Sequence, residues 1–385
     1  MLDNPMKILP FKAIYPVLEK VPHSNDFFDT VKFQYHDYRE EGLFQPTEKE
    51  AIYIYRITNT EGEKCTGLIT CVDIADFFNG NIKKHEKTIV KNEELQSELL
   101  QKRGAAIKPV LLAYPSSRPH TTMWSDRDKK DQESQLQELL FKYIENHKKF
   151  YIIHIGGEKH CFWQITEPDI IETIQTIFKT EIPHCYIADG HHRSASFAAL
   201  HTKLKSAKTA KMLCAFFPEQ DLHIQAYDRI VADLNRLSQD EFLSELTHFF
   251  KVKVLKKGVK PYAKFEMTMY LGGRWFQLNW RKSELKEFAQ GLVLLDVHLL
   301  NEKILKPLLG VKNIREDPRV TYREGTKSIK SIEEACPTEG VAFCLFPVEF
   351  EDLMAIADSN GILPPKSTFF EPRMKNGLLV YEITD

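Results

Sequence analysis

Asp189-Gly190-His191-His192-Arg193-Ser194 places a carboxylate, two imidazoles, a guanidinium and a hydroxyl around one glycine. The run before it, His184 to Ala188, reads as a buried strand. Asp189-Gly190 is a turn pair, and Ala195, Ala198, Ala199 and Leu200 give the following segment helical character. A strand that ends in a glycine turn at a helix N-terminus makes an anion site, because backbone N–H groups and the helix dipole converge there. His191, His192 and Arg193 would join them, so the spot can hold a phosphate. Asp189 can add a divalent cation or take a proton. A turn, a cap and a salt bridge are the ordinary alternatives for each residue taken singly, but their concentration in one turn favours function.

Two further constellations carry chemistry. Lys83-Lys84-His85-Glu86-Lys87-Thr88 packs three cations, an imidazole, a carboxylate and a hydroxyl ahead of a helix. Glu86 among lysines suits a general base for a hydroxyl proton, with the lysines serving a polyanionic co-substrate. A solvated loop is the plainer reading. Near the other end, Pro364-Pro365 leads rigidly into Lys366-Ser367-Thr368, a cation and two hydroxyls suited to phosphate or carboxylate. This is not a Walker A loop, since no GxxxxG precedes it. G-x-S-x-G, H-E-x-x-H, a strand-linked G-x-G-x-x-G and zinc-type Cys/His spacing are all missing.

The elements that must position these groups read as mixed α/β. Strands are expected at Ile52–Thr58, Thr66–Val72, Pro109–Tyr114, Phe150–Ile155, Cys161–Ile165 and Lys211–Phe217. Helices are expected at Asn92–Lys102, with Leu95, Leu99 and Leu100 on one face, and at Gln135–Asn146 and Ile170–Lys179. A polar loop covers Arg118 to Ser134. Farther on come an amphipathic helix Glu241–Val252 and a hairpin, Phe265–Leu271 with Arg274–Trp280, around Gly272-Gly273. A helix Leu294–Leu309 follows, then strands Ala342–Pro347 and Leu378–Ile383 flanking a helix Glu349–Asp358.

The chain has 385 residues, 43% of them hydrophobic, enough for two domains or for one with a large extension. We expect a core over 1–230 and a C-terminal α/β region over 231–385. Fifty-two basic and 54 acidic residues leave a net charge of −2, which offers no cationic field for nucleic acid or an anionic membrane. No apolar run approaches the ~18 residues of a membrane span, and Met1–Leu9 lacks a signal core. Seven cysteines without a CxxC pair read as buried free thiols of a cytoplasmic protein.

The signature Ala188-Asp189-Gly190-His191-His192-Arg193 resembles the Asp-Gly-His-His-Arg motif of free serine kinase, in the ParB/sulfiredoxin-like superfamily. The chain as a whole is similar to a large bacterial and archaeal family with the same signature and a serine-kinase-like core. That likeness runs from Ile8-Leu9-Pro10-Phe11 through Lys84–Thr88 and Leu308-Leu309-Gly310 to Pro365–Phe370. It implies a ParB/sulfiredoxin-like catalytic core in which Glu86 is the base on a serine hydroxyl. It also implies that Asp189, His191, His192 and Arg193 hold phosphate and metal. Val21-Pro22-His23-Ser24-Asn25-Asp26 departs from the family's Pro-Tyr-Asp-Val-like segment, and a longer insert separates the two motifs. His191 stands where sulfiredoxin chemistry needs cysteine, and no helix-turn-helix accompanies the core as in ParB.

These readings converge on a phosphotransferase acting on a small hydroxy amino acid, with L-serine/O-phospho-L-serine the first pair to test. The donor is ATP, ADP or pyrophosphate, with Mg2+ at Asp189. Lys84, His85, Gly190, Arg193, Lys366, Ser367 and Thr368 are expected to bind substrate or phosphate, with Glu86, Asp189, His191 and His192 catalytic. Small molecules are the expected partners, and a homo-oligomer is compatible with the chain. A phosphoserine phosphatase and a ParB-like nucleotide-binding regulator without turnover are the alternatives.

Overall fold

Apolar runs in the first part of the chain pair into a nine-stranded mixed sheet among the described residues. The computed structural model describes residues 5–87, 90–115, 134–288 and 293–384. Thr88 and residues 118–133 of the expected polar loop therefore lie outside the described residues. The strands are β1 (Ile8–Leu9), β2 (Ile52–Thr58), β3 (Lys64–Asp73), β4 (Ile82–Lys83), β5 (Val110–Tyr114), β6 (Tyr151–Ile155), β7 (Glu158–Ile165), β8 (Cys185–Asp189) and β9 (Lys211–Pro218). Their order is β4-β8-β5-β9-β3-β2-β7-β6, with β1 added against β3. β5, β8 and β9 are buried at nearly every position, so they read as continuous apolar runs rather than alternating ones.

Two helices frame the site, α1 (Val90–Arg103) and α3 (His191–Leu204), while α2 (Pro168–Glu181) packs on the sheet. α2 turns Ile174, Ile177 and Phe178 inward, and Phe178 meets Phe216 of β9 edge-on at 4.9 Å between ring centres. α1 reaches α3, whose Ser196 Oγ donates to the Glu93 carbonyl at 3.2 Å.

The chain divides into two compact units. One runs to His223 and regains the chain from Pro372 onward; the other is Ile224–Glu371. The second holds an antiparallel six-stranded sheet of β10 (Tyr227–Val231), β11 (Phe250–Leu255), β12 (Glu266–Leu271), β13 (Arg274–Trp280), β14 (Val320–Glu324) and β15 (Val341–Leu345). Its order is β11-β13-β12-β15-β10-β14. The Gly272-Gly273 hairpin pairs Leu271 with Arg274, both glycines in left-handed conformation.

The mixed α/β expectation stands, with four local corrections. The helix expected over Glu241–Val252 is Gln239–Phe249, after which the chain becomes β11, because Phe250-Lys251-Val252-Lys253-Val254 alternates with period two. Leu294–Leu309 is an α-turn, Asp296–Leu300, continued by a π-turn, Asn301–Leu305. Leu378–Ile383 contributes only Tyr381–Glu382 as strand, paired to Ala105-Ala106. In α1, Leu95 and Leu99 are 54% and 45% exposed, so only Leu100 of the expected apolar face is buried. No helix among the described residues is long and apolar enough to cross a membrane.

Candidate active site

The site starts from strand register. β4 runs parallel to β8, with Cys185 opposite Ile82 and Tyr186 opposite Lys83. The segments leaving them, 84–87 and 190–193, therefore emerge at the same end of the sheet despite the hundred or so residues between them. On its other side β8 pairs with β5 through a bulge: Ile187 faces Leu112 and Asp189 faces Leu111, leaving Ala188 as the extra residue. A bulge re-aims the side chains beyond it, here Asp189. Gly190 then takes φ +112°, and a Cβ there would lie 2.8 Å from Nη2 of Arg193. The left-handed backbone calls for glycine, and a Cβ would also push the overlying guanidinium aside.

Glu86 and His191 meet directly. Oε2 of Glu86 is 3.6 Å from Nδ1 of His191, while Nε2 of His191 accepts the His85 backbone N–H at 3.4 Å. The accepting Nε2 assigns the proton to Nδ1, so Nδ1–H faces the Glu86 carboxylate. Burial, reinforced by His85, holds the His191 pKa well below the ordinary histidine value, so the ring is neutral. The contact orients a carboxylate with a neutral donor and is not an ion pair. His85 lies behind it, 2% exposed and edge-on to His191 at 4.4 Å. Burial pushes its pKa down to about 3. A buried neutral ring is a support for His191 and supplies no charge to an anion.

Glu86 and His191 line a cleft of about 290 Å³ together with Lys84, Glu93, Phe77 and Phe78, with Ala195, Ala198 and Ala199 of α3 as another wall. The Lys84 ammonium lies 3.7 Å from the centre of the Phe77 ring. Burial lowers its pKa, and the Glu93 charge opposes that shift.

Arg193 turns the other way. Its Nη2 binds Asp189 Oδ2 at 3.0 Å, and Lys108 Nζ reaches the same oxygen at 3.6 Å. Arg373 approaches Oδ1 at 4.0 Å. Burial alone would raise the Asp189 pKa, but the charges of Arg193 and Lys108 outweigh it and hold the carboxyl far below its usual range. Burial and the Arg193 charge push Lys108 down to about 8 against the pull of Asp189. Arg193 and Lys108 line a second cavity of about 180 Å³ with Lys32, Arg103, Ser196 and Asn376. The signature thus serves two cavities on two sides of α3, rather than gathering both histidines and Arg193 into one. His192 is half-buried at the helix start, its Nδ1 enclosed and without a hydrogen-bond partner.

As a Mg2+ ligand Asp189 does not fit. Both carboxylate oxygens face cations, whereas Mg2+ sites draw on carboxylates free to bind metal. Among the described residues no group of three or more His, Cys, Asp or Glu is arranged to hold a metal.

Lys366, Ser367 and Thr368 lie in the second unit. There Ser367 Oγ donates to the Pro364 carbonyl at 2.6 Å. Lys366, at φ +55°, extends its ammonium over the Tyr227 ring at 5.0 Å. The buried Arg229 guanidinium ties the loop down through the Pro365 and Lys366 carbonyls at 3.4 and 3.2 Å.

Sequence reasoning missed Lys108, Glu93 and Arg373. Lys108 had a readable signal, a lysine just ahead of Pro109 and the apolar strand β5. Glu93 and Arg373 had none beyond ordinary charge.

Residues 12–298 match the model of a family described as "Protein of unknown function (DUF1015)", and the chain belongs to that family. No curated protein matches it in sequence. Among solved structures it is similar to SbnI with C-terminal truncation from Staphylococcus aureus, at 13% identity and TM-score 0.40, covering 80% of this chain and 85% of that one. It is also similar to free serine kinase in complex with AMP, at 13% identity and TM-score 0.36, covering 79% and 86%. A conserved hypothetical protein from Pyrococcus furiosus matches at 13% and 0.36, covering 80% and 94%.

Proposed function

We propose that this DUF1015 member is a phosphotransferase acting on a small hydroxy amino acid, with L-serine and O-phospho-L-serine as its pair. The observation that carries the proposal is the Glu86 carboxylate 3.6 Å from a neutral, donating His191 at the N-terminus of α3. In the forward direction Glu86 accepts the proton of the acceptor hydroxyl. His191 holds the carboxylate in place without competing for that proton. The transferring phosphoryl group sits over the start of α3, where backbone N–H groups and the dipole favour negative charge. Arg193, Lys108 and Arg373 exceed the single charge of Asp189 and counter the donor's phosphates. Asp189 fixes those three cations in position. His192 stands at the same helix start, where a phosphoryl oxygen can receive its ring N–H. Positioning and charge stabilisation suffice for phosphoryl transfer, whose transition state asks little covalent chemistry of the protein.

ATP, ADP and pyrophosphate all present the anionic group this arrangement suits. With water in place of the acceptor hydroxyl, the same residues would hydrolyse phosphoserine. Lys366, Ser367 and Thr368, in the second unit, are proposed as a phosphate-contacting loop in their own right. Phosphorus NMR of the purified protein with L-serine and each donor in turn, and with phosphoserine in the reverse direction, tests the proposal. A phosphoserine resonance that grows with time supports it; no transfer and no hydrolysis across the whole panel removes it.

A further inference from the structure

The second cavity of the first unit, about 180 Å³, is lined by four cations, Lys32, Arg103, Lys108 and Arg193, and by no Asp or Glu among the described residues. Two of the four have a carboxylate: Arg193 and Lys108 share Asp189, at 3.0 and 3.6 Å. The other two contact only neutral groups among the described residues. Arg103, half-buried in the last turn of α1, donates Nε to the Ala105 carbonyl at 2.8 Å and Nη1 to the Lys32 carbonyl at 3.3 Å. Those bonds occupy Nε and Nη1, not Nη2. Burial lowers the Arg103 pKa, and the group that opposes the shift is the phenol of Tyr35, not a carboxylate. Lys32 is exposed on the helix Asn25–Glu40, its ammonium 4.8 Å from the centre of the Phe33 ring.

Taking the phosphotransferase reading as its basis, the geometry points to two adjoining anion subsites in this cavity: Arg193 and Lys108 hold one phosphate of a diphosphate group, and Arg103 with Lys32 holds the other. A guanidinium fork matches phosphate oxygens in shape as well as charge. Partial burial of Arg103 without a carboxylate is costly, and a second phosphate supplies the missing counter-charge. The cavity is smaller than the roughly 300–1,000 Å³ of sites for drug-sized ligands, which suits a compact polyanion. A single phosphate engages one subsite and leaves the other empty. Arg103 and Lys32 are therefore the residues that select a diphosphate over a monophosphate. A free diphosphate and the diphosphate end of a nucleotide present the same group to them.

A solely structural role for Arg103, as a cation favoured by the dipole at the end of α1 and tied to two carbonyls, makes a different set of expectations. Its loss would lower stability and leave the preference between phosphate and diphosphate unchanged.

Calorimetric binding to the full-length protein separates the two, using inorganic phosphate, methylenediphosphonate (a diphosphate mimic whose bridge does not hydrolyse) and ADP at fixed ionic strength. The wild type should bind methylenediphosphonate, ADP or both about tenfold or more tightly than phosphate, and the ligand that does so identifies the source of the diphosphate. Arg103→Gln should weaken that ligand by about tenfold and leave phosphate within about twofold. Lys32→Gln, at an exposed position where folding is not at stake, should weaken it several-fold, and Arg103→Lys should recover part of the loss. Equal affinity of the wild type for all three ligands, no diphosphate binding, or parallel losses for phosphate and diphosphate in Arg103→Gln would each overturn the assignment. The expected binding pattern with no phosphoryl transfer from any donor would leave the two subsites standing and remove the transferase reading. Transfer with an unchanged donor KM in Arg103→Gln would remove the second subsite and leave the transferase reading in place.

Discussion

His191 accepts the backbone N–H of His85 through Nε2 and turns Nδ1–H toward Glu86 at 3.6 Å. One backbone hydrogen bond thereby sets a tautomer, and the tautomer sets the orientation of the carboxylate. An asparagine amide can place its nitrogen near the position of Nδ1. His191→Asn should therefore retain several-fold more turnover than His191→Ala, with similar acceptor affinity in both. Steady-state kinetics of the two variants check this; equal losses would show that His191 does not act through Glu86.

The Lys108 ammonium is held less readily in the folded protein than in water, with its pKa pushed down to about 8. It loses its proton as pH rises through that value, and the donor site loses a positive charge. Affinity for a phosphate-bearing ligand should fall between about pH 7 and 9, and Lys108→Arg should flatten the profile because arginine stays charged. Titrations of inorganic phosphate at fixed ionic strength measure it. A profile unaltered in Lys108→Arg would assign the pH dependence to another group.

Asp189 has its pKa depressed in the fold by Arg193 and Lys108, against the effect of burial. Its contribution to stability is therefore full above the unfolded value of ~3.9 and is lost as pH falls below it toward the folded value. Asp189→Asn should cost roughly 1–3 kcal/mol at pH 7, discounted because the side chain is 26% exposed. The gap from wild type should narrow by pH 3. Urea unfolding at both pH values gives the comparison, and a constant gap would contradict the charge account.

The strand, glycine turn and helix at 185–204 were legible because an apolar run, a turn pair and an alanine-rich segment follow one another without ambiguity. The meeting of Glu86 with His191 was expected from the charge-dense 83–88 segment and from resemblance; its physical cause is the parallel pairing of a two-residue strand, β4, which is too short for periodicity to reveal. Arg193 read as a phosphate ligand in sequence; its pairing with Asp189, four residues back, had no separate signal there. Strand β11 was hidden because Phe249 and Phe250 carry one apolar run across a change of period. The partners of Asp189 come from before β5 and from the last residues of the first unit, and long-range pairing of that kind leaves no local pattern.

In the second unit, the loop bearing Lys366 is fixed by Arg229. Its exposed ammonium makes Lys366→Ala a mild change, with melting temperature expected within about 2 °C of wild type. If the loop contacts phosphate, affinity for inorganic phosphate should drop several-fold in this variant. Unchanged affinity would return Pro364–Thr368 to a local structural role.

Glu86→Gln tests the central claim most directly. The substitution keeps the shape and a polar oxygen facing His191 Nδ1 but removes the capacity to take a proton. Phosphoserine formation, followed by phosphorus NMR with whichever donor the wild type uses, should slow by about 10²–10⁴-fold, while L-serine affinity measured by calorimetry stays within about threefold of wild type. Transfer at the wild-type rate in Glu86→Gln would contradict the account.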